Sequence, residues 1–444
     1  MVDLSPELVT ILMFGGLLLL IATGYPLAFI LIGLGMGTGL LLYGTAVFEL
    51  FRLRSYGILA SFIFMAVPLF VFMGAMVEKS GVAEKLYSAL YVWMAGFRGG
   101  LAVASVLLGT ILAACVGVIA ASVVTIGLLS IPAMLRRGYD KSLAAGAVCA
   151  GGSLGILIPP SIMLIIYGPT AGLSVGKLFM AAFPAGLLLS LLYVVYLSIR
   201  CFFQPRLAPP LPKEEYSLPM SVKVRMLGTS LLPTVILILS VLGAIYFGVA
   251  SPTEAAGVGA LASTLLAAAY RNLSFHVLQE TLLTTLRTTC MVMLIGLGAA
   301  AFTSVFSRAG GVDVVTNAIL AVPFGRWGSF AIIMAIVFIL GMFIDWIGII
   351  FVVVPMVSPM ATDLGFDPLW FAMMIILNLQ MSFITPPFAY AIFFLKGIAS
   401  EDWGLETEDI IRGIVPYVGL IIVALLLCIA FPDILLWLPA HMVT

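Results

Sequence analysis

The chain has 444 residues, 63% of them hydrophobic and 9% charged, with 20 basic and 20 acidic side chains and a net charge of zero. An ordinary soluble domain carries about 25% charged residues, and so few charges cannot cover a water-facing surface of this size. Composition excludes a soluble enzyme, a nucleic-acid binder and a disordered chain, and it makes the lipid bilayer the solvent for most of the surface.

A spanning helix takes about 20 apolar residues. In chain order, apolar runs lie at about 8–24, 26–47, 57–78, 100–135, 142–170, 177–200, 227–249, 253–270, 280–306, 327–361, 368–397 and 408–431. Asp3 and Glu7 precede the first run with no Lys or Arg, unlike the basic start of a secretory signal. The runs 100–135 and 327–361 are too long for one span, have weakly polar middles near Cys115–Ser122 and Met342–Gly348, and lack a charged loop. They read as two full spans each, or as hairpins that enter and leave by one face. The runs 142–170 and 368–397 are broken by Pro159-Pro160 and Pro386-Pro387. Tandem prolines remove two backbone donors and clash with the preceding turn, so a helix cannot continue through them. Unwound backbone at membrane depth is tolerated only against protein or a wet cavity. Segment 82–98, with Tyr87, Tyr91, Trp93, Lys85 and Arg98, suits an interfacial helix, and 312–328 is its counterpart. Ser251-Pro252-Thr253-Glu254 is a helix start signal.

These features repeat. Adding 227 to Pro132, Gly138, Asp140, Pro159 and Pro160 gives Pro359, Gly365, Asp367, Pro386 and Pro387, and the same shift carries Val118 onto Asp345. With broken helices counted as one crossing and hairpins as none, each half has five crossings, and the odd number inverts the second half against the first. Fifteen Lys and Arg residues fall in one set of loops, and five (Arg52, Arg54, Lys177, Arg308 and Arg326) fall in the other, so the first set is cytoplasmic and both termini lie outside. The expected fold is all-α integral membrane: two inverted five-crossing repeats, 1–200 and 227–444, joined by a cytoplasmic linker 201–226. Each repeat holds a re-entrant hairpin and a Pro-Pro-broken helix, the layout of a secondary transporter.

Half-helix N-termini favour anions, and C-termini with freed carbonyls favour cations. Asp345 is the only acidic residue in the middle of a long apolar run, so it reads as a cation ligand or as a cap for the second arm of its hairpin. Ser153, Gln380, Ser382 and Thr385 place hydroxyl and amide groups beside the breaks, to bind a carboxylate, complete an ion's shell or bond within the bundle. Cys115, Cys149, Cys201, Cys290 and Cys428 are scattered without CxxC spacing, and a disulfide framework or zinc site is not expected.

Gly-Gly-x-Leu-Gly-x-x-x-Pro-Pro-Ser at 151–161, followed by Tyr167-Gly168, resembles the signature of the large membrane subunit of tripartite ATP-independent periplasmic (TRAP) transporters. Ser-Pro-Thr-Glu-Ala-Ala at 251–256, Gly-Met-Phe-Ile-Asp at 341–345 and Thr-Pro-Pro-Phe at 385–388 resemble further motifs of that family, and the likeness covers nearly the whole chain. The resemblance implies an elevator-type, sodium-coupled importer of organic acids in the bacterial inner membrane. It also implies a small four-helix membrane subunit and a periplasmic substrate-binding protein as partners. By position it puts the organic anion near Ser153, Pro159, Pro160, Ser161, Gln380, Ser382 and Thr385, and sodium near Gly117, Ser122, Gly155, Asp345 and Gly348. The first hairpin departs from the family's Gly-Ser-Ser-like tip, reading Ala114-Cys115-Val116-Gly117-Val118, which leaves backbone carbonyls and Ser122 or Thr125 as ligands there. The competing readings are a stand-alone ion-coupled elevator transporter of dicarboxylate type, an ion channel and a membrane-embedded enzyme.

Overall fold

The computed structural model describes residues 4–210 and 218–443; linker residues 211–217, with Pro212 and Lys213, lie outside the described residues. All regular elements among the described residues are helical. The first half holds α1 (Pro6–Ile21), α2 (Leu27–Tyr43), α3 (Ala46–Leu59), α4 (Ala66–Lys79), α5 (Val82–Met94), α6 (Gly100–Val116), α7 (Ile119–Arg136), α8 (Lys141–Ser153), α9 (Ile162–Ala171) and α10 (Val175–Phe203). The second holds α11 (Met220–Tyr246), α12 (Pro252–Ala269), α13 (Phe275–Arg308), α14 (Gly311–Leu320), α15 (Gly325–Gly341), α16 (Trp346–Val352), α17 (Val354–Asp363), α18 (Pro368–Ile384), α19 (Tyr390–Ile398), α20 (Thr407–Ala430) and α21 (Asp433–Ala440). Among the described residues, six helices are long and apolar enough to cross a membrane alone, and α16 with α17 forms one further apolar pair bent by 55°.

The sequence motifs explain where helices start and stop. Gly138 (φ +75°) and Gly365 (φ +71°) follow the ends of α7 and α17 in the left-handed region that an L side chain resists. Two residues later Asp140 accepts the Leu143 N–H at 2.9 Å, and Asp367 accepts the Trp370 N–H at 2.9 Å, capping α8 and α18. The repeated Gly-aromatic-Asp string is thus a stop-and-restart signal. Ser251 and Glu254 form a reciprocal capping box on α12. Upstream the offset is two residues longer: adding 229 to the limits of α3–α4, 46 and 79, gives 275 and 308, the limits of α13.

One difference from the sequence reading matters. Residues 48–56, a polar loop around Arg52 and Arg54 by sequence, lie inside α3. Segment 82–98 begins with α5, an amphipathic helix that buries Val82, Ala83, Leu86, Tyr87 and Leu90 and leaves Glu84 and Lys85 exposed. Trp93 Nε1 donates to the Lys223 carbonyl at 3.1 Å, tying that helix to α11.

The helices sort by contact. α2, α4, α12 and α13 pack on one another, with α1, α3, α5 and α11 around them. α6–α10 and α15–α20 form the other mass. Within it, α8 packs on its own hairpin arms α6 and α7, and α18 on α15. The second arms cross over: α9 packs on α16 and α17, and α19 on α7. Each broken helix therefore braces the other half's hairpin.

Candidate functional site

The crossing brings two junctions into one body. At the first, the hairpin α6–α7 turns at Gly117 (φ +67°) and Val118. A side chain on Gly117 would lie 3.0 Å from the Pro160 carbonyl, so the turn touches the break in α8–α9. A side chain on Gly155 would lie 2.8 Å from Ser122 Oγ and 3.3 Å from the Val118 carbonyl. Gly117, Ser122 and Gly155, separate in sequence, thus meet with Pro160. Ser122 Oγ is buried and, among the described residues, has no hydrogen-bond partner. An unpartnered buried hydroxyl beside backbone carbonyls is an all-oxygen donor set of the kind hard cations take. Among the described residues no cluster of three His, Cys, Asp or Glu forms a metal site of the other kind.

The neighbouring serines are otherwise engaged. Ser153 Oγ donates to the Ala150 carbonyl at 2.9 Å, and Ser161 Oγ donates to the Ile156 carbonyl at 2.5 Å. They satisfy the unwound backbone at the break, and Pro159 and Pro160 are buried with them.

At the second junction, α15 ends at Gly341 and Asp345 begins α16 at its N-cap, the place Val118 holds on α7. The Asp345 carboxylate lies toward the Trp346 and Ile347 N–H groups without a cap hydrogen bond of full geometry. The Phe388 N–H donates to the Met342 carbonyl at 3.3 Å, and Ser382 Oγ donates to the Phe338 carbonyl at 3.1 Å, fastening hairpin to break. Thr385 Oγ1 donates back to the Met381 carbonyl at 2.7 Å. Gln380 is fully buried, and both its amide atoms lack partners among the described residues. Gly348 lies in the first turn of α16, between Leu27 of α2 and Ile344 beside the tip.

The junctions differ in access. Pro386, Pro387 and Phe388 are exposed, whereas the first break is sealed. A cavity of about 430 Å³ opens at the second junction between Asp345, Phe388 and Tyr390, the α1–α2 turn at Gly24–Ala28, and Met291–Ile295 of α13. Asp345 is the one charged residue lining it. A second cavity of about 750 Å³ lies between α3, α13, the end of α9 and α16–α17, and Arg54 lines it. In the sequence Arg54 reads only as a loop charge; its position two residues from Arg52, inside what is a helix, was the one available signal. Tyr390 and Asn378 carry no signal in the sequence reading; Asn378 Nδ2 donates to the Met334 carbonyl at 2.7 Å and holds α18 against α15.

Two hairpins facing two interrupted helices, with ion-type oxygen donors at the breaks and a cavity at one tip, define a membrane transporter. The family model described as "Tripartite ATP-independent periplasmic transporter, DctM component" matches residues 14–434. The chain belongs to that family and is a multi-pass protein of the inner membrane. It is 31% identical over 376 residues to the C4-dicarboxylate TRAP transporter large permease protein DctM of Pseudomonas aeruginosa, covering 84% of this chain and 86% of the relative. It is 28% identical over 429 residues to the 2,3-diketo-L-gulonate TRAP transporter large permease protein YiaN of Escherichia coli, covering 94% and 98%. Among solved structures, the Alcanivorax borkumensis YdaH transporter shares the fold, with a TM-score of 0.60, 15% identity, and coverage of 95% of this chain and 99% of that one. The relatives are transporter permeases rather than enzymes, and transporters of this family work with a periplasmic binding protein and a small membrane subunit.

Proposed function

We propose that this chain is the translocating subunit for a small organic carboxylate, moved inward together with sodium. The observation that carries the reading is the meeting of Gly117, Ser122, Gly155 and Pro160 around an unpartnered buried hydroxyl, with Asp345 at the matching tip of the other half. Sodium at either tip orders the turn. The ordered turns and the amide of Gln380 then present donors to a carboxylate, and ion and substrate favour each other's binding. The substrate class is supported by the two dicarboxylate- and keto-acid-named relatives.

In this reading the halves are inverted repeats, and the Lys- and Arg-rich loops with the 201–226 linker face the cytoplasm. The α1–α2 turn is then cytoplasmic, and the Asp345 cavity opens inward. The mass built from α6–α10 and α15–α20 slides as an elevator against α2, α4, α12 and α13. A four-helix partner supports the latter, and a periplasmic binding protein delivers the substrate.

The test is uptake of labelled C4-dicarboxylate into proteoliposomes holding this chain, the small subunit and the binding protein. Uptake should require a sodium gradient and all three proteins. Uptake that follows a pH gradient without sodium would overturn the coupling, and full uptake by the chain alone would favour a stand-alone transporter.

A further inference from the structure

The larger cavity has no part in the reading above. It holds about 750 Å³, within the range of small-molecule sites, roughly 300–1,000 Å³. Arg54 is the one charged residue lining it, and no carboxylate borders it; the Thr170, Thr303 and Ser304 hydroxyls donate to the Ile166, Ala299 and Ala300 carbonyls of their own helices, which leaves Ser61 and Ser307 as the further hydroxyl donors. The nearby arginines of the same loop set are engaged elsewhere. Arg52 pairs with Glu49 at 2.5 Å, Arg308 lies 5.0 Å over the Tyr43 ring, and Arg326 lies 5.5 Å over the Trp327 ring. Among the described residues, no carboxylate or ring engages Arg54. A guanidinium left free in a hydroxyl-lined recess is a receptor for a planar anion, because its fork of N–H groups matches a carboxylate.

The two cavities adjoin along α13: Ile295 lines the smaller and Gly296 the larger. At that border the Phe351 ring packs on Gly296, where an added methyl would lie 3.1 Å from it, and the Phe64 ring stands 6.1 Å away. Both rings are nearly buried. Phe64 and Phe351 line the larger cavity there and do not line the smaller.

We propose that this cavity is an antechamber for a small organic anion, held by Arg54 with the Ser61 hydroxyl. Its place ahead of translocation rests on the transport reading, but the site can be tested without transport.

The test uses the full transporter complex in neutral-lipid nanodiscs. Cys290, the exposed cysteine among the described residues, is changed by Cys290→Ser, and Ser307→Cys reports from the cavity wall. Thiol modification is timed with an anionic sulfonatoethyl and a cationic trimethylammonium-ethyl thiosulfonate, each relative to a small free thiol. The anionic reagent should be favoured about tenfold, as expected of a charged cleft. Arg54→Gln should abolish the preference and Arg54→Lys should keep it. Millimolar succinate should slow modification, and only when residue 54 is cationic. An unchanged reagent ratio in Arg54→Gln, or no protection by succinate, overturns the proposal. Loss of the preference in phosphatidylglycerol nanodiscs would assign Arg54 to a lipid headgroup and overturn it too. A wild-type complex that fails to use sodium would refute the coupling and leave this result standing.

Discussion

Replacing Asp345 by Asn removes a charge while keeping shape, and Asn caps a helix about as well as Asp. The difference between the two therefore isolates the electrostatic contribution. Asp345 is the one charge lining a cavity of about 430 Å³ and is partly exposed to it. A unit charge pair at about 4 Å gains about 4 kcal/mol at an effective dielectric of 20 and about 1 kcal/mol in bulk water. At about 30 Å³ per water, the cavity has room for roughly a dozen molecules, which places the value toward the wet end, about 2 kcal/mol. At about 1.4 kcal/mol per decade, the half-saturating sodium concentration should rise roughly thirtyfold in Asp345→Asn. Asp345→Ala should be worse, since it also removes the polar group that faces the Trp346 and Ile347 N–H groups. The assay is uptake against sodium concentration in proteoliposomes at fixed binding protein, with complex assembly followed by size-exclusion chromatography. Sodium dependence within twofold of wild type in Asp345→Asn, with assembly intact, would refute the reasoning. Asp345 would then be a cap alone, and any ion would be held by the carbonyls and Ser122 of the first junction.

Three further outcomes are expected. Ser122→Ala should raise the sodium requirement several-fold without lowering the thermal midpoint, because Ser122 Oγ has no hydrogen bond to lose; a large loss of stability would contradict this. Gly413→Ala should destabilise the complex by about 1–3 kcal/mol, read as a lower melting temperature. Its new methyl would fall 2.0 Å from the Ser142 carbonyl, where α8 and α20 touch backbone to backbone, and Gly146→Ala should act alike through a 2.2 Å contact with the Gly413 carbonyl. Single cysteines at Lys223 and in the 201–210 stretch should react only with reagents supplied from the cytoplasm, and one at Arg52 only from the periplasm; the reverse pattern would invert the assigned orientation.

Much was determined locally by sequence. The polar poverty of the chain required lipid as solvent, because there are not enough charges to meet water. Tandem prolines broke two helices by removing donors and crowding the preceding turn, wherever those helices were destined to pack. Gly-Tyr-Asp and Gly-Phe-Asp ended one helix and capped the next, since a left-handed glycine and a side-chain acceptor act within a few residues. The identical offset between these signals made the repetition legible in the chain itself.

Which candidates could serve a ligand was decided by packing. Ser153, Ser161, Ser382 and Thr385 looked alike as free hydroxyls near breaks, yet each donates to a carbonyl that the unwinding or the neighbouring helix leaves open. Ser122 and Gln380 remain without partners because the helices facing them offer none, a fact of three-dimensional neighbours and not of residue type. The sealing of one break and the opening of the other also lay beyond the sequence, where the two Pro-Pro pairs are equivalent. Arg54 belongs with these. Its charge was visible in the chain, but its cavity exists only because α3 folds as a helix and stands across from α9, α13 and α16–α17.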